Sequence, residues 1–213
     1  MPEPATFGLF AVAALALLVV PGPSVVYIIT RSASQGRRAG LVSVLGIHTG
    51  SIVHVVAAAT GLSALLLASA TTFEVVKLAG AAYLVGLGLT RLFGVGVSEE
   101  RTAALPASLH RVYRQGVVVN ILNPKTALFF VAFLPQFVDP GRGPIAMQVV
   151  VLGLCFITLG LLSDSAYAVL AGTLAPRLRH RRPGRSRRGQ RVSGAVFVAL
   201  GVFAALAHRP EPA

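Results

Sequence analysis

Asn123, Pro124 and Lys125 stand together inside an apolar run, NILNPKTALFFVAFLPQFVDP at positions 120–140. A lysine within a membrane span costs roughly 2.5–3.5 kcal/mol on insertion scales, so it faces protein or water rather than lipid. Pro124 has no N–H and leaves the carbonyl of Asn120 without its helical donor. A broken helix at membrane depth is tolerated where it is buried in protein or lines a cavity. The run therefore reads as the lining of a path through a bilayer. A second break is written at Pro21-Gly22-Pro23, which frees the carbonyls of Leu17 and Val19. Asp164 is the one acid deep in an apolar stretch, and Gly153, Gly160 and Tyr167 share its helix face. Two readings of Asp164 and Lys125 stay open. They form a structural pair between two helices, or a working site that uses the pair, as intramembrane ionisable groups do by default.

These groups need spans to position them, and the composition supplies them. Of 213 residues, 54% are hydrophobic and 12% charged, against about 25% charged in soluble domains. The chain is expected to be an all-α polytopic membrane protein, with residues 1–213 forming a single transporter domain. Six stretches approach the ~20 residues that cross hydrocarbon as a helix: 7–29, 40–68, 73–94, 116–137, 145–174 and 192–207. Met1–Thr6 lacks a basic n-region, so the first stretch reads as a retained span rather than a cleaved signal.

Charge alternates between the connecting segments. Arg31–Ala39, Arg91–Gln115 and Pro176–Arg191 hold fifteen of the nineteen Lys and Arg, against Lys77, Arg142 and Arg209 on the other side. By the positive-inside rule the Arg-rich segments are cytoplasmic and both termini lie outside. The run at 176–191 is read as a topology determinant with lipid contact as a compatible extra, and not as a nucleic-acid site. Six spans divide into two sets of three of opposite orientation. The first span of each set carries a break, as expected for two inverted three-helix repeats with broken helices 1 and 4. At a rise of ~1.5 Å per residue, Pro21 and His48 lie ~12 Å from the cytoplasmic ends of their spans, Lys125 ~13 Å and Asp164 ~15 Å. Groups from four spans thus fall in one layer near mid-membrane.

Other classes fit less well. Cys155 is the single cysteine, so a two-thiol redox relay is excluded. His48 and His54 are six apart, hence ~120° apart around a helix, and do not make a helical metal pair. No metal site or cofactor is expected. An exporter of another small solute such as a cation would want clustered ligands in the spans. A structural or regulatory membrane protein would explain packing glycines such as Gly46 and Gly50, but not a lysine beside a broken helix. No nucleophile–base arrangement points to an enzyme. His48 sits at the depth of a proton relay.

PGPSVVYIITRSASQGRRAG at 21–40, LGIHTGSIVH at 45–54, KLAGAAYLVGLGL at 77–89 and QGVVVNILNPKTALFFVAFLPQF at 115–137 appear in that order. In these motifs the chain resembles the LysE/RhtB family of bacterial amino-acid exporters; Asp164 and Tyr167 extend the match into the fifth span. Ser24 departs from the Asp, Asn or Thr that members often carry after Pro-Gly-Pro. The resemblance implies six spans in the bacterial inner membrane and export of amino acids or close derivatives driven by the proton gradient. The partners expected are the amino acid, protons and membrane lipid, with a homodimer allowed. An amino acid is a zwitterion. Lys125, with N–H groups beyond the break at Pro21, Gly22 and Pro23, is expected to hold its carboxylate. Asp164 and the carbonyls freed at Leu17, Val19 and Asn120 are expected to hold its ammonium. The substrate-binding set is then Pro21, Gly22, Pro23, Asn120, Asn123, Pro124, Lys125, Asp164 and Tyr167, with Asp164 and His48 relaying protons. Empty, Lys125 and Asp164 are expected to satisfy each other.

Overall fold

Proline placement sets where the helices stop. The structure, a computed structural model, describes residues 3–68 and 107–178, with isolated positions between 75 and 93 and between 195 and 206. All regular elements among the described residues are helical. α1 (Pro4–Val19) is almost wholly apolar and ends where Pro21 and Pro23 remove backbone donors. Gly22 is extended and caps α2 (Pro23–Gln35), whose first position is proline. The axis turns by 52° across this break. α2 closes on Gly36 at φ +86°, a left-handed geometry suited to glycine, and α3 (Arg37–Ala68) follows.

The second break repeats this chemistry. α4 (Leu109–Ile121) starts on the Ser108 cap and stops ahead of Pro124. Asn123 caps α5 (Pro124–Leu128) by accepting from the Lys125 N–H at 3.1 Å. α5 runs on through a π turn at Phe129–Phe133 and a 3₁₀ turn at Leu134–Phe137. The bend between Leu109–Ile121 and Pro124–Phe137 is 46°. Phe129 is the hub of an aromatic cluster with Phe10 of α1 and Phe156 of α6 (Ile145–Leu178), at ring separations of 5.7 and 4.9 Å. This cluster fixes the segment beyond the break against both neighbours.

Arg37–Gly61 and Ile145–Ala175 are each long and apolar enough to cross a membrane, and each bent pair also qualifies as one broken span. These four correspond to the spans expected at 7–29, 40–68, 116–137 and 145–174. The first and fourth extend further than expected, to Gln35 and back to Leu109. Apart from those isolated positions, the expected spans 73–94 and 192–207, and most of the Arg-rich segment 176–191, lie outside the described residues.

α3 packs between α4 and α6, and glycines set how closely. A Cβ on Gly46 would strike the Tyr113 carbonyl of α4, and one on Gly116 would lie 3.0 Å from the Ser43 carbonyl of α3. The small-residue face of span 2 is therefore a backbone-to-backbone contact with α4. Gly46→Val is expected to force these helices apart and lower the unfolding temperature in detergent by several degrees. An unchanged thermal midpoint would show that the contact yields without cost.

Candidate functional site

Each carbonyl freed by a proline needs a donor, because water is scarce at this depth. At the first break, Val19 O accepts from Tyr167 Oη at 2.7 Å and Val20 O accepts from Lys125 Nζ at 2.6 Å. Leu17 O takes the Val20 N–H at 3.2 Å. At the second, Asn120 O takes the Asn123 N–H at 3.0 Å and lies 2.9 Å from His54 Nε2, which donates to it. Lys125 belongs to the second broken helix and caps the first. Its stem lies against Gly22, where a Cβ would be 3.0 Å from Lys125 Cδ. The glycine of Pro-Gly-Pro thus makes room for the lysine as well as extending the chain.

Side chains then tie the two breaks together. Ser24 Oγ donates to Asn120 Oδ1 at 3.1 Å and accepts from Asn123 Nδ2 at 2.7 Å. Thr126 Oγ1 donates to the same Asn120 oxygen at 3.2 Å, and Asn120 Nδ2 donates to Ser51 Oγ of α3 at 2.9 Å. All five side chains are buried. Ser24→Ala would strand Asn123 Nδ2 and remove one donor from Asn120, a loss of about 1–3 kcal/mol. Its thermal midpoint is expected to fall accordingly, and an unaltered one would mean the network is dispensable.

On the far wall, His48 Nε2 lies 3.0 Å from Asp164 Oδ2, and both residues are buried. The imidazole fits there because Gly160 has no Cβ to meet it. His48 Nδ1 and Asp164 Oδ1 have no hydrogen bond among the described residues. The partners differ from those expected. Asp164 pairs with His48 rather than Lys125, and Lys125 Nζ donates to the Val20 carbonyl. The reason is geometric: α3 crosses α6 at Gly160 and interposes its imidazole, while Gly22 admits the lysine to the adjacent break. The carbonyls of Leu17, Val19 and Asn120, expected to be open, are capped in this structure.

One cavity nevertheless adjoins both walls. Gly22, His48, Asn120, Asn123, Lys125 and Asp164 of the expected set line it. Pro21, Pro23 and Pro124 shape the breaks, and Tyr167 caps Val19 from outside the lining. Ser24, Ser51 and Thr126 also line it and were not in the expected set. Ser51 could have been found from its spacing, three residues after His48 on the same face of α3. The cavity measures about 20 Å³, roughly the room of one water molecule. Nothing as large as an amino acid enters it until the surrounding helices part.

A translocator family fits a charged, closed site between two broken spans, and the relatives of the chain lie there. The family model described as LysE type translocator matches residues 15–208. The homoserine/homoserine lactone efflux protein of Salmonella typhimurium is 31% identical, over 90% of this chain and 91% of its own. An uncharacterized membrane protein of Vibrio cholerae is 31% identical over 93% and 95%. The leucine efflux protein of Salmonella choleraesuis is 26% identical over 77% and 81%. No solved structure matches. The chain belongs to the LysE type translocator family.

Proposed function

We propose that this protein exports amino acids or close derivatives across the bacterial cytoplasmic membrane by proton antiport, using the whole chain as one six-span transport domain. It is a transporter and not an enzyme. The observation that carries the reading is the pair of buried opposite charges, Lys125 and Asp164, on the walls of one cavity between two broken helices. The relatives named for homoserine, homoserine lactone and leucine add a chemical point. Those three molecules share an α-ammonium, whereas the lactone has no free carboxylate. The ammonium is then the feature every substrate must present, and Asp164 is the group that reads it.

Exchange of partners makes the cycle balanced. The substrate carboxylate takes Lys125 Nζ, and the ammonium takes Asp164 Oδ1 together with the Val20 carbonyl that the lysine releases. No buried charge is left unpaired, which would otherwise cost about 3–5 kcal/mol. A proton relayed from outside through His48 to Asp164 cancels the negative charge of the carboxylate, and the ammonium leaves. The two halves, read as inverted repeats, rock about this layer to alternate access. The Arg-rich segments face the cytoplasm and both termini face out. The test is efflux of a labelled amino acid from loaded proteoliposomes under an imposed pH gradient. Efflux that follows the gradient and collapses with a protonophore is expected. Efflux indifferent to both would overturn the coupling, and its absence for every amino acid and lactone tried would overturn the substrate class.

A further inference from the structure

Away from that cavity, α2 and α4 part to leave a cleft of about 770 Å³ at the end of the bundle that carries their arginines. The α2 wall is tied to α4 at the floor of the cleft. Arg31 donates to Gln35 Oε1 at 3.0 Å and to Gln115 Oε1 at 2.8 Å, and its guanidinium lies 5.6 Å above the Tyr27 ring. Tyr27 Oη in turn donates to Val112 O at 2.7 Å. The other wall is α4, where Arg111 and Arg114 stand one turn apart with exposed side chains. Neither makes an ion pair among the described residues. The described acids are engaged elsewhere, Glu3 and Asp139 with Arg142 and Asp164 with His48.

Below the arginines the same cleft becomes apolar. Val118 lies one further turn along α4 and is 53% exposed; beyond it Leu122 is 73% exposed. In a membrane-spanning chain that flank meets acyl chains. A free anion would use the arginines and leave the apolar flank idle, and a zwitterionic lipid would bring its phosphate together with a quaternary ammonium that the arginines repel, leaving their net charge uncompensated. Guanidinium groups bind phosphate through paired hydrogen bonds, and basic pockets between membrane helices suit anionic headgroups.

We propose that this cleft is a binding site for an anionic phospholipid, its phosphate held by Arg111 and Arg114 and an acyl chain laid along Val118. The proposal rests on the membrane-spanning reading and not on the transport cycle. To test it, full-length protein in neutral detergent is titrated with phosphatidylglycerol or phosphatidylcholine, and bound lipid is counted by native mass spectrometry. Phosphatidylglycerol is expected to bind roughly ten- to thirtyfold more tightly, from about two arginines near an anionic group. R111Q/R114Q is expected to lose most of that preference, while R111K/R114K keeps part of it and R142Q, at the Glu3–Asp139 cluster, keeps all of it. Native-like thermal midpoints in these variants would confirm that folding is not the cause.

Four results would overturn the site. The first is equal binding of the two lipids. The second is a preference that survives in R111Q/R114Q, which would place it on other arginines such as those of 177–191. The third is displacement of phosphatidylglycerol by inorganic phosphate alone at matched concentration, which would make this a free-anion site. Efficient crosslinking between copies through V118C would likewise overturn it in favour of a dimer contact. Proton-driven efflux in R111Q/R114Q is read alongside: loss of the lipid preference with efflux intact separates this site from the transport reading.

Discussion

Asp164→Asn is expected to reduce proton-driven efflux by at least two orders of magnitude while leaving the protein folded. Asparagine keeps the shape of the side chain, and its amide oxygen still accepts from His48 Nε2 across the 3.0 Å gap. The packing at Gly160 is untouched. What disappears is the negative charge and the ability to hold a proton. A charge-assisted hydrogen bond is worth about 1.5–3 kcal/mol, and an ammonium left buried without its counter-ion costs about 3–5 kcal/mol. Either figure slows transport by tens- to thousandsfold, and the two losses act together. Asp164→Glu restores charge and titration at a displaced position and is expected to recover part of the efflux. Measured in proteoliposomes with the amount of folded transporter matched, wild-type efflux by Asp164→Asn would remove Asp164 from both roles. Efflux that persists but no longer follows the pH gradient would instead separate the proton role from ammonium binding.

Much of this arrangement was legible in the sequence because it depends on local chemistry. Pro-Gly-Pro and Asn-Pro-Lys announce broken helices whatever surrounds them, and both breaks are present, bent by 52° and 46°. A buried lysine, acid and histidine near one depth also follow from counting residues along a helix. Partner choice did not follow. Depth leaves open the angle at which two helices cross, and that angle is decided by contacts such as Gly46 on Tyr113 and Gly160 on His48. A sequence displays these only as small residues. The pairing of Asp164 with His48, and of Lys125 with a carbonyl of the other broken helix, needed those crossings. Ser24, read only as a departure after Pro-Gly-Pro, proves to be the hydroxyl that bridges Asn120 and Asn123. Its neighbours Ser51 and Thr126 went unnoticed because serine and threonine are unremarkable in membrane helices, where a backbone carbonyl one turn back usually satisfies them.

Lys125→Met is expected to discriminate between substrates rather than abolish transport of all of them. Methionine has similar length and no charge, so it can lie along Gly22 as the lysine stem does. It cannot donate to Val20 O, and that carbonyl loses the 2.6 Å bond it now has. The expected loss of stability is about 1–3 kcal/mol, softened because a buried ammonium no longer has to be accommodated. The functional loss depends on what the substrate offers. A free amino acid brings a carboxylate that has lost its counter-charge, and its efflux should fall by roughly ten- to a hundredfold. A lactone or methyl ester of the same amino acid brings only a neutral carbonyl, so its efflux should fall several-fold at most. The informative quantity is therefore the ratio of the two rates in one batch of vesicles, which cancels differences in folding and insertion. A ratio unchanged from wild type would mean that Lys125 holds the break together and does not read the carboxylate. A ratio shifted toward the uncharged derivative by tenfold or more would assign the two ends of the zwitterion to the two walls of the cavity.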